Sequence, residues 1–214
     1  MLVPILLLLT AAAPPPAAKR WWSHVRVLAS DANEGRDTGS PGYLRAERYV
    51  ISQVEKLGLK PAGEKGYAQP VPFHSVELDP QATTIDLVRD GKPQRLRFLD
   101  EIAITAVPRL PESIEAPVIL ADDPNTEVKG KFAAVHSTGR AAALAKAGAV
   151  GVLTIDNPRA TEPPRWPVAY AKSVRLTPQP ASTFFNIRVS EDTAVKILQS
   201  PASLRIKTKT LTGD

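Results

Sequence analysis

The chain has 214 residues, 43% hydrophobic and 23% charged, with no Cys and three His. That length holds one large or two small domains, which bury roughly 70% of the unfolded surface. Without Cys, a disulfide scaffold, a thiol nucleophile and every Cys-bearing zinc site are excluded. The net charge of +5 comes from the C-terminal quarter: residues 1–158 carry 18 basic and 18 acidic side chains, residues 159–214 carry 9 and 4. That region lacks the interleaved aromatics of a nucleic-acid platform, so it reads as a solvated positive face and no nucleic-acid partner is expected.

Leu2 to Ala13 is a 12-residue apolar run, shorter than the roughly 20 residues of a membrane-spanning helix. It reads as a leader cut near Ala13 or Ala18, which predicts a secreted or periplasmic protein and no membrane span. Only Met1 precedes the run, so the usual basic flank is missing, and a buried N-terminal strand is the alternative. Trp21, Trp22, Val25, Leu28 and Ala29 then recur at helical spacing, predicting a short helix that ends near Ser30 and whose aromatics anchor it to a core. A polar loop from Asp31 to Gly42 follows, with Gly35, Gly39 and Gly42. Ser40-Pro41 is a helix start, because the hydroxyl caps free amides and proline at the first helical position loses no bond. Tyr43, Ala46, Val50, Val54 and Leu57 fall on one face, with Arg45, Glu47, Arg48, Glu55 and Lys56 largely elsewhere. Gly58 supplies the left-handed stop, Leu59 the apolar contact after it, and Pro61 blocks continuation.

Tyr67 to Leu78 reads as an extended, proline-interrupted stretch at a sheet edge. Thr84 to Arg89 and Arg95 to Leu99 flank Asp90-Gly91, a hairpin signature. Short apolar strands at Val118–Ala121, Gly130–His136 and Val150–Ile155, with a helix over Arg140–Ala147, predict parallel pairing. Asn157 to Pro180 is proline-rich loop containing Trp166 and Tyr170. Phe184–Val189 is a strand, Ser190 caps a helix, and Leu204 to Leu211 alternates as a last strand at an exposed edge.

Asp37-Thr38-Gly39-Ser40 matches the tetrapeptide of aspartic peptidases, but no second copy exists and it leads into a helix, so it reads as a capping loop. His24, His74 and His136 show no metal-ligand spacing. Asp122-Asp123 before Pro124-Asn125 reads as a turn, and His136 as a satisfied strand-end residue. There is no Gly-x-Ser-x-Gly elbow. Ser137-Thr138-Gly139 lacks the Lys of a phosphate loop.

The order of segments resembles a known family. Leu28-Ala29-Ser30-Asp31, Glu34 to Gly42, Ala46, Tyr49-Val50, Leu57 to Gly63 and Tyr67 to Val71 are similar to the N-terminal part of secreted clan MH zinc exopeptidases, family twenty-eight. Val128 to Lys131, with the strand, helix and Gly148 to Ile155 that follow, resembles the protease-associated insert of such enzymes. The resemblance implies an α/β (α+β) fold: opening helices and edge strands of a peptidase domain, then a protease-associated-type insert. The implied divisions are a leader over 1–18, a peptidase-domain segment over 19–80, the insert over 81–200, and a return strand over 201–214. It also implies a peptide or protein substrate and, in a complete relative, two zinc ions that activate a water. The family's His-x-Asp motif and general-base Glu have no counterpart, so no catalytic residue and no zinc ligand is assigned to this chain, which is expected to be a fragment inactive alone. The loop Asn33 to Gly42, with Gly35, Arg36, Gly39, Ser40 and Gly42, is the candidate substrate-cleft segment. A stand-alone exported protease-associated-type module that binds a peptide or protein is the alternative.

Overall fold

The computed structural model describes residues 15–158 and 160–213, and the chain divides into two compact units, Met1–Pro70 and Val71–Asp214. The leader stretch 1–14 lies outside the described residues.

The first unit holds helices α1 (Pro16–Leu28) and α2 (Pro41–Lys56), joined by a 3-10 turn at Asp31–Arg36. α1 stops where Asn33, itself buried, folds back and donates from Nδ2 to the carbonyls of Val27 (2.8 Å) and Leu28 (3.1 Å). These carbonyls have no partner within the helix, so a buried amide satisfies two of them. α2 starts as its sequence predicts, with Ser40 Oγ accepting from the Tyr43 amide at 3.1 Å. It ends in a Schellman pair: the Gly58 amide donates to Glu55 and that of Leu59 to Val54, with Gly58 at φ +71°. The apolar expectations fare less well. Trp21 and Trp22 do not anchor a core, being 63% and 53% exposed, and α1 buries no residue. Val50, Leu57 and Leu59 are exposed too, so the apolar residues around the Gly58 stop join no buried core.

In the second unit, β1 (His74–Leu78) lies between β11 (Thr210–Gly213) and β8 (Lys172–Arg175) in a three-stranded antiparallel sheet. It is therefore central, not the edge that its prolines suggested, because the prolines stop at Pro72 and leave every residue of β1 with an amide to pair. The main sheet has eight strands, ordered β3 (Lys92–Leu96), β2 (Thr84–Arg89), β10 (Ala202–Lys207), β5 (Ser113–Leu120), β6 (Phe132–Val135), β7 (Gly151–Ile155), β9 (Phe185–Val189) and β4 (Ile102–Ile104). The β2–β3 hairpin turns on Asp90 and Gly91, both at positive φ (48° and 74°), the backbone that a two-residue turn requires. β5, β6, β7 and β9 are mutually parallel. The predicted last strand is two strands: β10 sits in the middle of the main sheet, with Leu204 and Ile206 fully buried between β2 and β5, and only β11 forms an edge.

Side-chain alternation sorts the parallel strands into two cores. Phe132, Ala134, Leu153, Phe185 and Ile187 share one with Ala194 and Ile197 of α4 (Glu191–Leu198), while Ala133, Val135 and Val152 share the other with Leu144 of α3 (Ala141–Lys146). Burying each such Leu, Ile or Phe contributes about 1.5–3 kcal/mol. Gly151 marks a close approach in the first core: a Cβ there would stand 2.7 Å from Phe185 Cβ and 2.9 Å from Phe132 Cε1. The two rings meet edge to face at 6.0 Å. α4 starts on Ser190, which accepts from the Thr193 amide, and carries Glu191 and Asp192 in its first turn and Lys196 in its last, matching the helix dipole. Together the described residues form a mixed α+β fold.

Candidate functional site

The Asp31–Gly42 loop and α2 enclose a groove of about 540 Å³ lined by Leu28, Gly35, Arg36, Tyr43, Ala46, Glu47, Val50, Ile51 and Tyr67. The backbone before it takes three consecutive left-handed steps, at Glu34 (φ 47°), Gly35 (φ 76°) and Arg36 (φ 58°). Such a conformation costs roughly 1 kcal/mol or more at each non-glycine residue, so two are held against their preference. Glu34 is tied by an ion pair to Arg45 at 3.0 Å. Arg36 and Glu47, of opposite charge, line the groove with no ion-pair partner among the described residues. Tyr67 is fixed by its hydroxyl, which donates to the Leu59 carbonyl at 2.7 Å.

Of the five loop residues singled out from the sequence, Gly35 and Arg36 reach the groove. The other three build the turn that carries them. Gly39 (φ 75°) permits the Ser40 amide to close back on the Asp37 carbonyl at 2.9 Å, Ser40 caps α2, and Gly42 lies against the backbone of Asn33. Asp37-Thr38-Gly39-Ser40 is thus a capping loop, with Asp37 Oδ1 accepting from the Thr38 amide. Sequence reasoning missed Tyr43, Glu47 and Tyr67. Glu47 follows Tyr43 by one helical turn and so shares its face, where the charge pattern had suggested it lay elsewhere.

In the second unit, polar residues collect at the carboxyl ends of the parallel strands, where open α/β sheets commonly bind ligands. Asp122 follows β5 and His136 follows β6. The His136 amide donates to Asp122 Oδ1 at 2.9 Å, and ring Nδ1 lies 2.7 Å from Oδ2. These two bonds, the backbone one foremost, hold the Asp122 carboxyl below its usual range. Asp123, not Asp122, makes the turn, accepting from the Asn125 amide at 2.8 Å. An ionised carboxylate only accepts, so Nδ1 carries the proton in this bond. Beside the pair lies an apolar cavity of about 490 Å³ lined by Ile155, Ala194, Val195 and Leu198, with His136 and Glu191 at its wall. No hydroxyl bonds to His136 among the described residues.

A second cavity, of about 440 Å³, opens beyond β7 between Asp156, Arg165, Trp166, Tyr170 and Arg188. Arg188 pairs with Asp156 and lies over the Tyr170 ring at 5.5 Å. Arg165 is paired at 3.1 Å with Asp100, a nearly buried carboxylate that also holds Arg97 at 2.8 Å. The charges named in its described lining are matched internally.

No family model matches the sequence, and no curated protein matches it. Solved structures do. A peptidase M28 precursor from Shewanella amazonensis aligns with 92% of this chain and 50% of its own at 13% identity and a TM-score of 0.45. Two structures of a zinc aminopeptidase from Bacillus subtilis align with 88% of this chain and 44% of their own at 14% and 15% identity and TM-scores of 0.49. This chain spans half or less of the length of each. A zinc centre needs three or four convergent donors, and among the described residues no three His, Asp or Glu side chains come together. Asp122 and His136 supply two, so these residues do not fit a zinc cage.

Proposed function

We propose that this chain is the N-terminal and substrate-access part of a secreted, zinc-dependent aminopeptidase, and that the groove of its first unit takes the peptide substrate. One observation carries the reading: Gly35, Arg36, Ala46 and Tyr67, from segments that resemble family twenty-eight, line one groove together with Glu47. A cation and an anion without ion-pair partners among the described residues, beside the apolar Leu28, Ala46 and Ile51, suit an extended peptide, whose backbone and termini carry both kinds of partner. Hydrolysis falls to residues other than these.

The test is peptide binding to the purified chain by fluorescence anisotropy, alongside release of N-terminal residues with zinc present. Saturable binding, weakened at least about tenfold by Arg36→Ala and by Glu47→Gln, is expected, with no release by the chain alone. Zinc-dependent release by the chain alone would refute the access role, and binding indifferent to both substitutions would refute the groove. The alternative of a stand-alone protease-associated-type module draws on the 440 Å³ cavity of the second unit. It predicts peptide binding that responds to Arg188→Ala and not to Arg36→Ala.

A further inference from the structure

The helix α1 is polar on one side and apolar on the other, yet it buries no residue. At 100° per residue, Ala18, Trp21, Trp22, Val25 and Leu28 share an arc of about 120°, while Lys19, Arg20, Ser23 and Arg26 occupy the other side, joined by Val27. The helix contains no acidic residue. His24 fixes its rotation: ring Nδ1 lies 2.7 Å from the Tyr49 hydroxyl on α2, which leaves both indoles exposed, at 63% and 53%.

We propose that α1 is an interfacial helix that lies on an anionic lipid surface, with Trp21 and Trp22 at headgroup depth and Lys19, Arg20 and Arg26 over the phosphates. Charge complementarity identifies the occupant. Three cations without a carboxylate attract phosphate, and indole rings, apolar with one N–H donor, partition to the headgroup layer. An apolar protein partner would account for the indoles but not for the uniform charge. This inference is independent of any peptidase activity.

The experiment uses the full chain with vesicles of phosphatidylcholine alone or with phosphatidylglycerol, read by cosedimentation and by quenching of tryptophan emission with brominated lipid. Trp166, 2% exposed, provides a constant background. Binding to anionic vesicles is expected to be at least tenfold tighter than to neutral ones and to weaken in high salt. At about fivefold for each cation near the surface, Lys19→Glu, Arg20→Glu and Arg26→Glu together cost at least about 100-fold. Trp21→Ala with Trp22→Ala removes the quenching. All five positions are exposed, so circular dichroism is expected to be unchanged. Equal binding to both vesicle types overturns the proposal. So does binding that survives both sets of substitutions, which would place it in the apolar N-terminus. Failure to bind vesicles while binding a soluble acidic polypeptide would overturn it in favour of a protein partner.

Discussion

The Cα of Gly42 lies against the peptide group of Asn33, so that a Cβ at Gly42 would stand 2.0 Å from the Asn33 carbonyl oxygen. Because the Asn33 side chain also caps α1, this one contact joins the end of the first helix to the start of the second. In an ordinary exposed helix, Gly→Ala stabilises by about 1 kcal/mol. Here Gly42→Ala is expected to destabilise by about 1–3 kcal/mol, as overpacked sites do. Hydrogen exchange at the amides of α1 and α2 reads the sign directly, and faster exchange is the expected outcome.

Gly151→Ala is expected to act in the same direction in the second unit, by about 2 kcal/mol or more, because a methyl group there strikes Phe185 and Phe132. Phe132→Leu combined with Gly151→Ala should recover part of the loss. Thermal unfolding of the three proteins checks it, and equal melting temperatures for the native chain and Gly151→Ala would contradict the packing described.

Arg36 is held at φ 58°, where glycine is at ease. Arg36→Gly is therefore expected to raise the stability of the first unit by roughly 0.5–1 kcal/mol while lowering peptide affinity. Opposite movement of urea midpoint and binding constant marks a strained binding residue; a drop in both would mean that the arginine serves the fold.

Glu101 sits between the Arg97 amide and the Lys196 ammonium of α4, the latter at 3.1 Å. Burial pushes its carboxyl up, but the bond from the Arg97 amide and the cations of Lys196 and Arg97 outweigh that and leave it below its ordinary value near 4.5. A depressed carboxyl favours the folded state above the unfolded pKa, and the contribution disappears as pH falls through the folded pKa. Asp122 behaves alike through His136, from a usual value of 3.8, but its side chain is 41% exposed and solvent screening makes it the weaker term. Stability is expected to decline as pH drops below about 5. Glu101→Gln should cost about 1–2 kcal/mol at neutral pH and make the acid decline shallower. A pH series of urea midpoints tests it.

Helix ends and the hairpin were legible in the sequence because each depends on residues only a few positions apart: Ser40 with Tyr43, Gly58 with Glu55, Asp90 with Gly91. The parallel strands were legible as short apolar runs around a helix. By contrast, the alternation from Leu204 to Leu211 suits a central and an edge strand equally, and its division between two sheets follows from what β1 and β5 offer as partners. Trp21 and Trp22 follow helical periodicity as a core face would, yet both stay more than half exposed. The groove was half visible: the glycines and Ser40 announced a turn and Arg36 lay within it, but Glu47 was hidden by reading charge as a mark of the outer face.

Local covalent chemistry therefore determined where this chain turns, caps and extends, since those preferences are decided within a few residues of backbone. Tertiary structure alone decided which charges meet. Parallel pairing of Leu120 with Ala134 carries Asp122 opposite His136 two residues on, and no spacing along the chain encodes that register. It is set by burying Ala133 and Val135 on one side of the sheet and Phe132 and Ala134 on the other, since a one-residue slip would exchange the two faces.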